Sequence, residues 1–361
     1  MSFVYNVEND VQFIAEIGKN FIDTEEEQSV AMNLKKAKDL VDAAKNSGAN
    51  AVKFQTHMVD DELLRLDFTS PHFKLADRYS WVSRNQRATP LEDFWIPIKQ
   101  FCDELGIEFF STPMSVRAAM MLDKLGVKTW KVGSGDVSDI PLLKYLISTE
   151  KPVIISTGMV SYSELAQVYK LFENSGRKLI ILYCISEYPC PPEKFNLLSI
   201  QRLQNLFPKA VVGFSDHSID DDYAVLQACS LGARVIEKHF SFDRNAWGSD
   251  HKASLLPSEF HSMTKKYKDN MHQNQLFDES FSGHIDLELG GATNEYRKYF
   301  RKGLVYSKDL KKGETIKESD LVSMRPLMYL EMDAIEFDNI IGKRLSRDVK
   351  SLAAVRLADY D

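Results

Sequence analysis

Eight short runs rich in β-branched and aromatic residues recur along the first three quarters of the chain, each separated from the next by a helical pattern. They are QFIAEIG (12–18), NAVKFQT (50–56), IEFFSTP (107–113), TWKVGSG (129–135), PVIISTG (152–158), KLIILYCIS (178–186), AVVGFSDH (210–217) and RVIEKHF (234–240). Several are almost continuous in Val, Ile, Leu and Phe, the pattern of parallel strands covered on both faces. In the first intervening pattern, Val30, Leu34, Ala37, Leu40, Val41 and Ala44 form one apolar stripe that stops at Gly48. Later patterns stop at Gly106, Gly126, Gly176 and Gly232. Eight strands alternating with helices over about 240 residues is the count and length of a (β/α)8 TIM barrel. A doubly wound sheet is the alternative, and the absence of GxGxxG after the first strand disfavours its dinucleotide-binding form.

Two departures from a bare barrel stand out. Fifty residues separate Thr56 from the third run, too many for one helix and two loops, so residues 65–90 are expected to form an inserted loop over the site. Beyond residue 280 the helical pattern is lost around Gly290-Gly291, and short strand-like pieces with a turn at Lys312-Gly313 follow. The expected organisation is a barrel over 1–279, a linker over 280–296 and a small β-rich domain over 297–361. That last unit is close to the lower size limit for folding on its own core.

With 44% hydrophobic and 27% charged residues the chain reads as an ordinary soluble globular protein. A net charge of −7 offers no general attraction to nucleic acid or anionic lipid, and no apolar run has membrane-span length. Four cysteines without a CxxC pair read as free thiols, and the N-terminus lacks a signal-peptide pattern. These features predict a cytoplasmic protein.

A barrel collects function at the C-terminal ends of its strands. Here those ends carry Glu16, Lys53, Gln55, Ser111, Thr112, Lys131, Ser134, Asp136, Thr157, Ser186, Tyr188, Ser215, Asp216, His217, Glu237, Lys238 and His239. His217 and His239 lie 22 residues apart, one helix and two loops, so they end neighbouring strands roughly 5 Å apart. Two imidazoles that close repel when protonated but share a divalent cation well. Imidazole ligands alone suggest Zn or Fe; with only two protein ligands, the remainder being water and substrate, Mn2+ or Mg2+ also fits. Lys53 and Lys131 each lie in an apolar strand, where an ammonium needs a compensating anion. A phosphate or carboxylate ligand near the Gly133-Ser134-Gly135 turn is one such anion; an internal pair with Glu16 or Glu237 is the other.

The ordered motifs AEIGKN (15–20), AVKFQT (51–56), STPMS (111–115), WKVGSGD (130–136), STGM (156–159), YPCPP (188–192), GFSDHS (213–218), IEKHF (236–240) and GSDHKASL (248–255) resemble those of the phosphoenolpyruvate-dependent nonulosonic acid synthases, makers of sialic, legionaminic and pseudaminic acids. VYSKDLKKGETI (305–316) and IGKRLSRDV (341–349) resemble the antifreeze-like SAF domain of the same enzymes. The resemblance implies condensation of phosphoenolpyruvate (PEP) with an N-acetylhexosamine aldehyde, entry of water and release of phosphate. It implies that His217 and His239 hold Mn2+ or Mg2+, and that Glu16 manages the water or its proton. Lys53, Ser111, Lys131, Ser134, Ser186 and Ser215 would bind PEP. Gln55, Asp136, Tyr188 and Asp250 would contact the sugar.

It further implies a domain-swapped homodimer, with Arg301 or Lys302 of the YFRKG run reaching the partner's sugar site. Asn20-Phe21-Ile22-Asp23 lacks the family's usual His, Asp136 stands where Glu is frequent, Ser186 where Asn is frequent, and Lys302-Gly303 where Arg-Ser is usual. DHKASL is closer to the sialic and legionaminic synthases than to the pseudaminic branch. The alternatives are another PEP-aldose synthase, such as pseudaminate synthase or one acting on sugar phosphates, and a sugar-binding protein that has lost turnover.

Overall fold

The computed structural model describes residues 10–71, 73–219, 222–273 and 293–360, with Val7, Gly283, Ile285, Leu289 and Gly291. The eight runs become β1 (Gln12–Gly18), β2 (Ala51–Thr56), β3 (Glu108–Pro113), β4 (Trp130–Val132), β5 (Val153–Ser156), β6 (Leu179–Cys184), β7 (Val211–Asp216) and β8 (Val235–His239). Parallel ladders join them in the order β3-β2-β1-β8-β7-β6-β5-β4. This is the expected barrel, with helices packed around it and an open ladder only at the β3/β4 seam. The seam follows from the shortness of β4, where Gly133 leads directly into a 3-10 turn over Ser134–Asp136.

Alternation along the strands divides the barrel interior into two layers. Ile14, Ala51, Phe110, Ile154, Ile180 and Val235 form one buried apolar cluster. Two residues further along the same strands come Glu16, Lys53, Thr112, Ser156, Leu182 and Glu237, so polar groups stack on an apolar floor. Residues of the opposite parity, such as Phe13, Val52, Phe109, Ile155 and Ile236, pack beneath the helices in the main core. Each fully buried aliphatic or aromatic side chain contributes roughly 1.5–3 kcal/mol, which lets the upper layer carry costly polar groups.

The helices begin where the sequence supplies caps. The Ser29, Ser115 and Asp139 side chains accept from backbone N–H groups of the first turn, and Ser161 forms a capping box with Glu164. The inserted segment over 65–90 is not all loop. Asp77 caps an 11-residue helix, Arg78–Ala88, whose buried face is Arg78, Trp81, Val82, Asn85 and Ala88. Its helical spacing is present, but two polar residues on the buried face obscure it in the sequence.

The C-terminal unit pairs β9 (Gly303–Tyr306) antiparallel with β10 (Leu321–Met324), with isolated bridges at Val305–Ala354, Leu310–Val349 and Thr315–Arg344. Its core residues Leu304, Tyr306, Leu321, Phe337 and Ile340 belong to the same continuous cluster as the barrel's outer core. A small unit thereby borrows packing from its neighbour. Most of the linker expected over 280–296 lies outside the described residues. Among the described residues, no helix is long and apolar enough to cross a membrane.

Candidate active site

One cavity of about 830 Å3, open to solvent, lies at the C-terminal ends of the strands. Glu16, Lys53, Gln55, Lys131, Ser134 and Asp136 line it, as do Ser186, Tyr188, Ser215, His217, Glu237 and His239, and Asp250. Sixteen to 250 in sequence, these positions meet because each ends, or closely follows, a barrel strand.

At the base, the two strand lysines meet two carboxylates. Lys53 Nζ lies 2.8 Å from Glu16 Oε2 and 3.6 Å from Glu237 Oε1, and Lys131 Nζ lies 3.6 Å from the same Glu237 oxygen. The internal-pair alternative is therefore realised in this structure, and the cavity beside the pair leaves room for a ligand as well. Lys131 also donates to Ser156 Oγ at 2.8 Å, and Ser215 Oγ donates to Glu237 at 3.2 Å. Burial opposes ionisation of Glu237, yet Lys131 and Lys53 outweigh it and lower its pKa to about 2. Glu16 moves the other way: burial raises it, Lys53 opposes, and Glu237 adds to the rise. Two carboxylates a few ångströms apart thus have opposite proton affinities. Gln55 Nε2 donates to Glu16 Oε1 at 2.8 Å and fixes its orientation.

The imidazoles are adjacent, with ring centroids 5.4 Å apart and planes inclined by 47°. His217 Nδ1 lies 2.7 Å from the Ile185 carbonyl. A carbonyl only accepts, so Nδ1 carries a proton. Burial opposes a charge on His217, yet Cys184 and the Ile185 carbonyl outweigh it and raise its pKa, so Nε2 offers a lone pair once the ring has released its second proton. His239 is buried, which together with nearby His217 and Lys53 lowers its pKa to about 3 despite Asp250 and keeps the ring neutral; its Nδ1 is buried without a hydrogen-bond partner. Two oriented imidazoles in their neutral form are a donor set suited to a divalent cation. No cluster of three or more His, Cys, Asp or Glu side chains placed for a metal occurs among the described residues, so water and substrate would complete the shell. Tyr188 stacks on His217 with centroids 4.1 Å apart.

Ser134 Oγ accepts from Gly158 N at 3.0 Å, which joins the turn after β4 to the turn after β5. A Cβ at Gly158 would stand 2.2 Å from Ser186 Oγ and 3.0 Å from Ser186 N, so a larger residue there would displace the Ser186 hydroxyl. Cys184 also faces the cavity, its sulfur 3.7 Å from Ser134 Oγ and 3.9 Å from His217 Nδ1.

Three assigned residues lie away from the cavity. Ser111 has the parity of the outward-facing positions: it neighbours Phe110 and Thr112, which point inward, and its hydroxyl is 2.6 Å from Thr56 Oγ1. Thr112, not Ser111, lines the cavity from β3. Arg301 is wholly buried in a network with Glu164 (2.6 Å), Ser138 (3.0 Å) and Asp333 (2.8 Å). Lys302, equally buried, is 2.8 Å from Asp139, 2.6 Å from the Met114 carbonyl and 3.2 Å from Asp136. Both fasten the C-terminal unit to the barrel, and their charges are used up in doing so.

The C-terminal unit instead contributes Arg325, which lines the cavity and is ion-paired with Asp136. It reaches its own chain's barrel, and its backbone pairs with Leu63 in the connection after β2. Lys19 and Arg78 also line the cavity. The sequence singled out none of these three. Arg325 carries a readable signal, since it stands in the apolar run Leu321-Val322-Ser323-Met324-Arg325-Pro326-Leu327, as Lys53 and Lys131 stand in theirs.

Fold and site together define a (β/α)8 barrel whose strand-end pocket is completed by a small C-terminal β-rich module. The chain belongs to the NeuB family, whose model matches residues 40–275, and the SAF domain model matches residues 301–361. It is 31% identical over 337 residues to the N,N'-diacetyllegionaminic acid synthase of Campylobacter jejuni, covering 90% of this chain and 95% of that one. It is also 31% identical over 359 residues to the pseudaminic acid synthase of the same organism, covering 99% and 98%. The crystal structure of the spore coat polysaccharide biosynthesis protein SpsE of Bacillus subtilis superposes with a TM-score of 0.80 at 29% identity, over 97% of this chain and 95% of that one. Legionaminic relatives match at 31% and 33% identity and the pseudaminic relative at 31%, values that do not fix the product of this chain.

Proposed function

We propose that this protein condenses PEP with the open-chain aldehyde of an N-acetylated hexose, and that water enters as inorganic phosphate leaves. The observation that carries the reading is the convergence of Lys53, Lys131, Glu16, His217 and His239 on one cavity, with serine hydroxyls beside them. Lys53 and Lys131, with Ser134, Ser186 and Ser215, bind the carboxylate and phosphate of PEP; arrival of that anion redistributes the ammonium charge now shared with Glu16 and Glu237. A C–C bond forms between the PEP methylene carbon and the aldehyde carbon. Water adds at the adjoining carbon, and the phosphate departs.

Glu16, protonated more readily than an ordinary carboxyl, takes or returns the proton of that water. His217 and His239 would hold Mn2+ or Mg2+, which would supply Lewis-acid polarisation of the aldehyde oxygen. Gln55, Asp136, Tyr188, Asp250 and Arg325 orient the sugar, and alignment of two substrates in one pocket supplies much of the rate. N-Acetylmannosamine and its 2,4-diacetamido-6-deoxy relative are the leading acceptors, in keeping with the names of the relatives.

We also carry forward a homodimer. Exchange of the C-terminal unit between two copies would recreate the Arg325–Asp136 contact across chains instead of within one, and sedimentation equilibrium distinguishes dimer from monomer. Four buried free thiols accord with a reducing, cytoplasmic setting. The decisive assay measures PEP consumption with Mn2+ and a panel of free, charged and deoxy N-acetylhexoses. Consumption that requires PEP, metal and one such sugar together supports the reading. No consumption with any of them refutes it.

A further inference from the structure

Residues 293–300 lead into the C-terminal unit, and on the way they touch three successive strand-end turns of the barrel. Phe300 lies against the turn after β4, where a Cβ at Gly135 would stand 2.7 Å from the Phe300 carbonyl oxygen. Arg297 donates to the Met159 carbonyl in the turn after β5 at 3.0 Å and is ion-paired with Glu164 at 2.7 Å. Just before the segment, a Cβ at Gly291 would overlap the Val160 carbonyl, so the chain is seated directly on that turn. Asn294 makes the contact that spans two turns. Its Nδ2 donates to the Gly158 carbonyl after β5 at 2.9 Å and, more weakly, to the Ser186 carbonyl after β6 at 3.5 Å. Its Oδ1 accepts from Tyr296 N at 2.8 Å, which fixes the amide with its N–H groups toward the barrel.

The turns joined in this way carry cavity groups. Gly158 N donates to Ser134 Oγ at 3.0 Å, and both Ser134 and Ser186 line the cavity. Ser186 Oγ is buried and has no hydrogen-bond partner among the described residues, so the backbone of Ser186 is what places it. Asn294 is bonded to the carbonyl of that same residue. Residues 157–160 and 185–187 belong to no helix or strand. The tie made by the strands themselves comes one step earlier, where Cys184 N donates to Thr157 Oγ1 at 3.2 Å. Beyond that point the Asn294 amide bridges the two turns.

We propose that Asn294 is a positioning residue for the PEP site. By holding the Gly158 and Ser186 carbonyls on one amide, it sets the spacing of the turns that carry Ser134 and Ser186. PEP affinity then depends on the seating of the segment that leads into the C-terminal unit. The inference rests on the PEP-condensing reading. Asn294 does not itself line the cavity, so it acts through those turns and not by contact with substrate. Its role is also separate from that of Arg325, which the same unit contributes on the side of Asp136.

The test titrates PEP into the full-length protein with Mn2+ and no acceptor, by calorimetry. It also measures the KM for PEP and for whichever N-acetylhexose supports PEP consumption. Asn294→Ala removes both the donors and the oxygen that receives Tyr296 N. Asn294→Ser keeps a short side-chain oxygen for that turn but does not reach the two carbonyls. Both variants should weaken PEP binding about 10-fold, the effect of losing one full and one weak hydrogen bond, and should leave the acceptor KM within about 2-fold. These values are read on whichever variant retains the circular dichroism of the parent. Unchanged PEP affinity in both variants overturns the inference and leaves the synthase reading standing. So does recovery of PEP affinity in Asn294→Ser, which would assign the residue to its own turn alone, an equal rise in both KM values, or loss of the fold in both variants. A parent protein that consumes no PEP with any acceptor defeats the synthase reading, and this inference with it.

Discussion

Lys238 and Asp216 form an ion pair between β8 and β7 with both side chains wholly buried and Nζ 2.7 Å from Oδ2. Each is the immediate neighbour of one cavity histidine, but with opposite strand parity, so the pair lies behind the pocket wall. Lys238→Met removes the ammonium and leaves Asp216 buried. Breaking such a pair costs about 3–5 kcal/mol. Asp216 retains the Ser218 N–H at 2.7 Å and the Ser218 hydroxyl at 3.2 Å, which places the loss at the lower end. Unfolding entropy near Tm is about 2.1 cal/mol/K per residue, or about 0.75 kcal/mol/K for 361 residues. A loss of about 3 kcal/mol therefore lowers Tm by about 4 °C. Combining Lys238→Met with Asp216→Asn keeps an acceptor for Ser218 N and removes the stranded charge, so the double variant should regain at least half of that loss. Differential scanning calorimetry of both single variants and the double completes the cycle. No shift in Lys238→Met, or strictly additive losses in the double variant, would refute the reasoning.

His217→Ala should abolish metal-dependent turnover and lower Mn2+ affinity at least ~10-fold by calorimetry; full activity after this change removes the residue from the chemistry. Lys53→Met should raise the KM for PEP more than the KM for the acceptor, and an unchanged PEP dependence in steady-state kinetics overturns its assignment. Glu164 joins the C-terminal unit to the barrel through Arg297 at 2.7 Å and Arg301 at 2.6 Å. Burial raises its pKa, but these partners and the Ser161 N–H prevail and lower it to about 2. A depressed carboxyl stabilises the fold at pH values above its ordinary pKa and loses that contribution as pH falls toward about 2. Tm measured between pH 5 and roughly pH 2 should therefore fall less steeply in Glu164→Gln than in the parent; parallel curves count against the linkage.

The barrel was legible because parallel strands buried on two faces write themselves as apolar runs, and β1 coincides with its expected limits. Polar residues at the strand ends were legible for the same reason: Glu16, Lys53 and Lys131 interrupt runs that otherwise exclude charge. Parity was the harder matter. Ser111 and Thr112 are both polar and adjacent, and only the register of β3 against β2, with Thr112 opposite Gln55, decides which faces inward. The C-terminal contribution was hidden by distance. Arg325 meets Asp136 across 189 positions, and no local pattern encodes that contact. Arg301 and Lys302 were assigned through the family resemblance of the YFRKG run, yet their charges are consumed by Glu164, Asp333 and Asp139 within the protein. Arg78 was obscured in another way, since it opens a helix within a segment whose composition reads as loop.

Because Arg325 follows all eight barrel strands in the chain, a ribosome releases every strand before the residue that finishes their pocket. The nascent chain thus has the staves of its cylinder before its working cavity. A premature stop between β8 and Arg325 would leave that pocket with a gap in its rim.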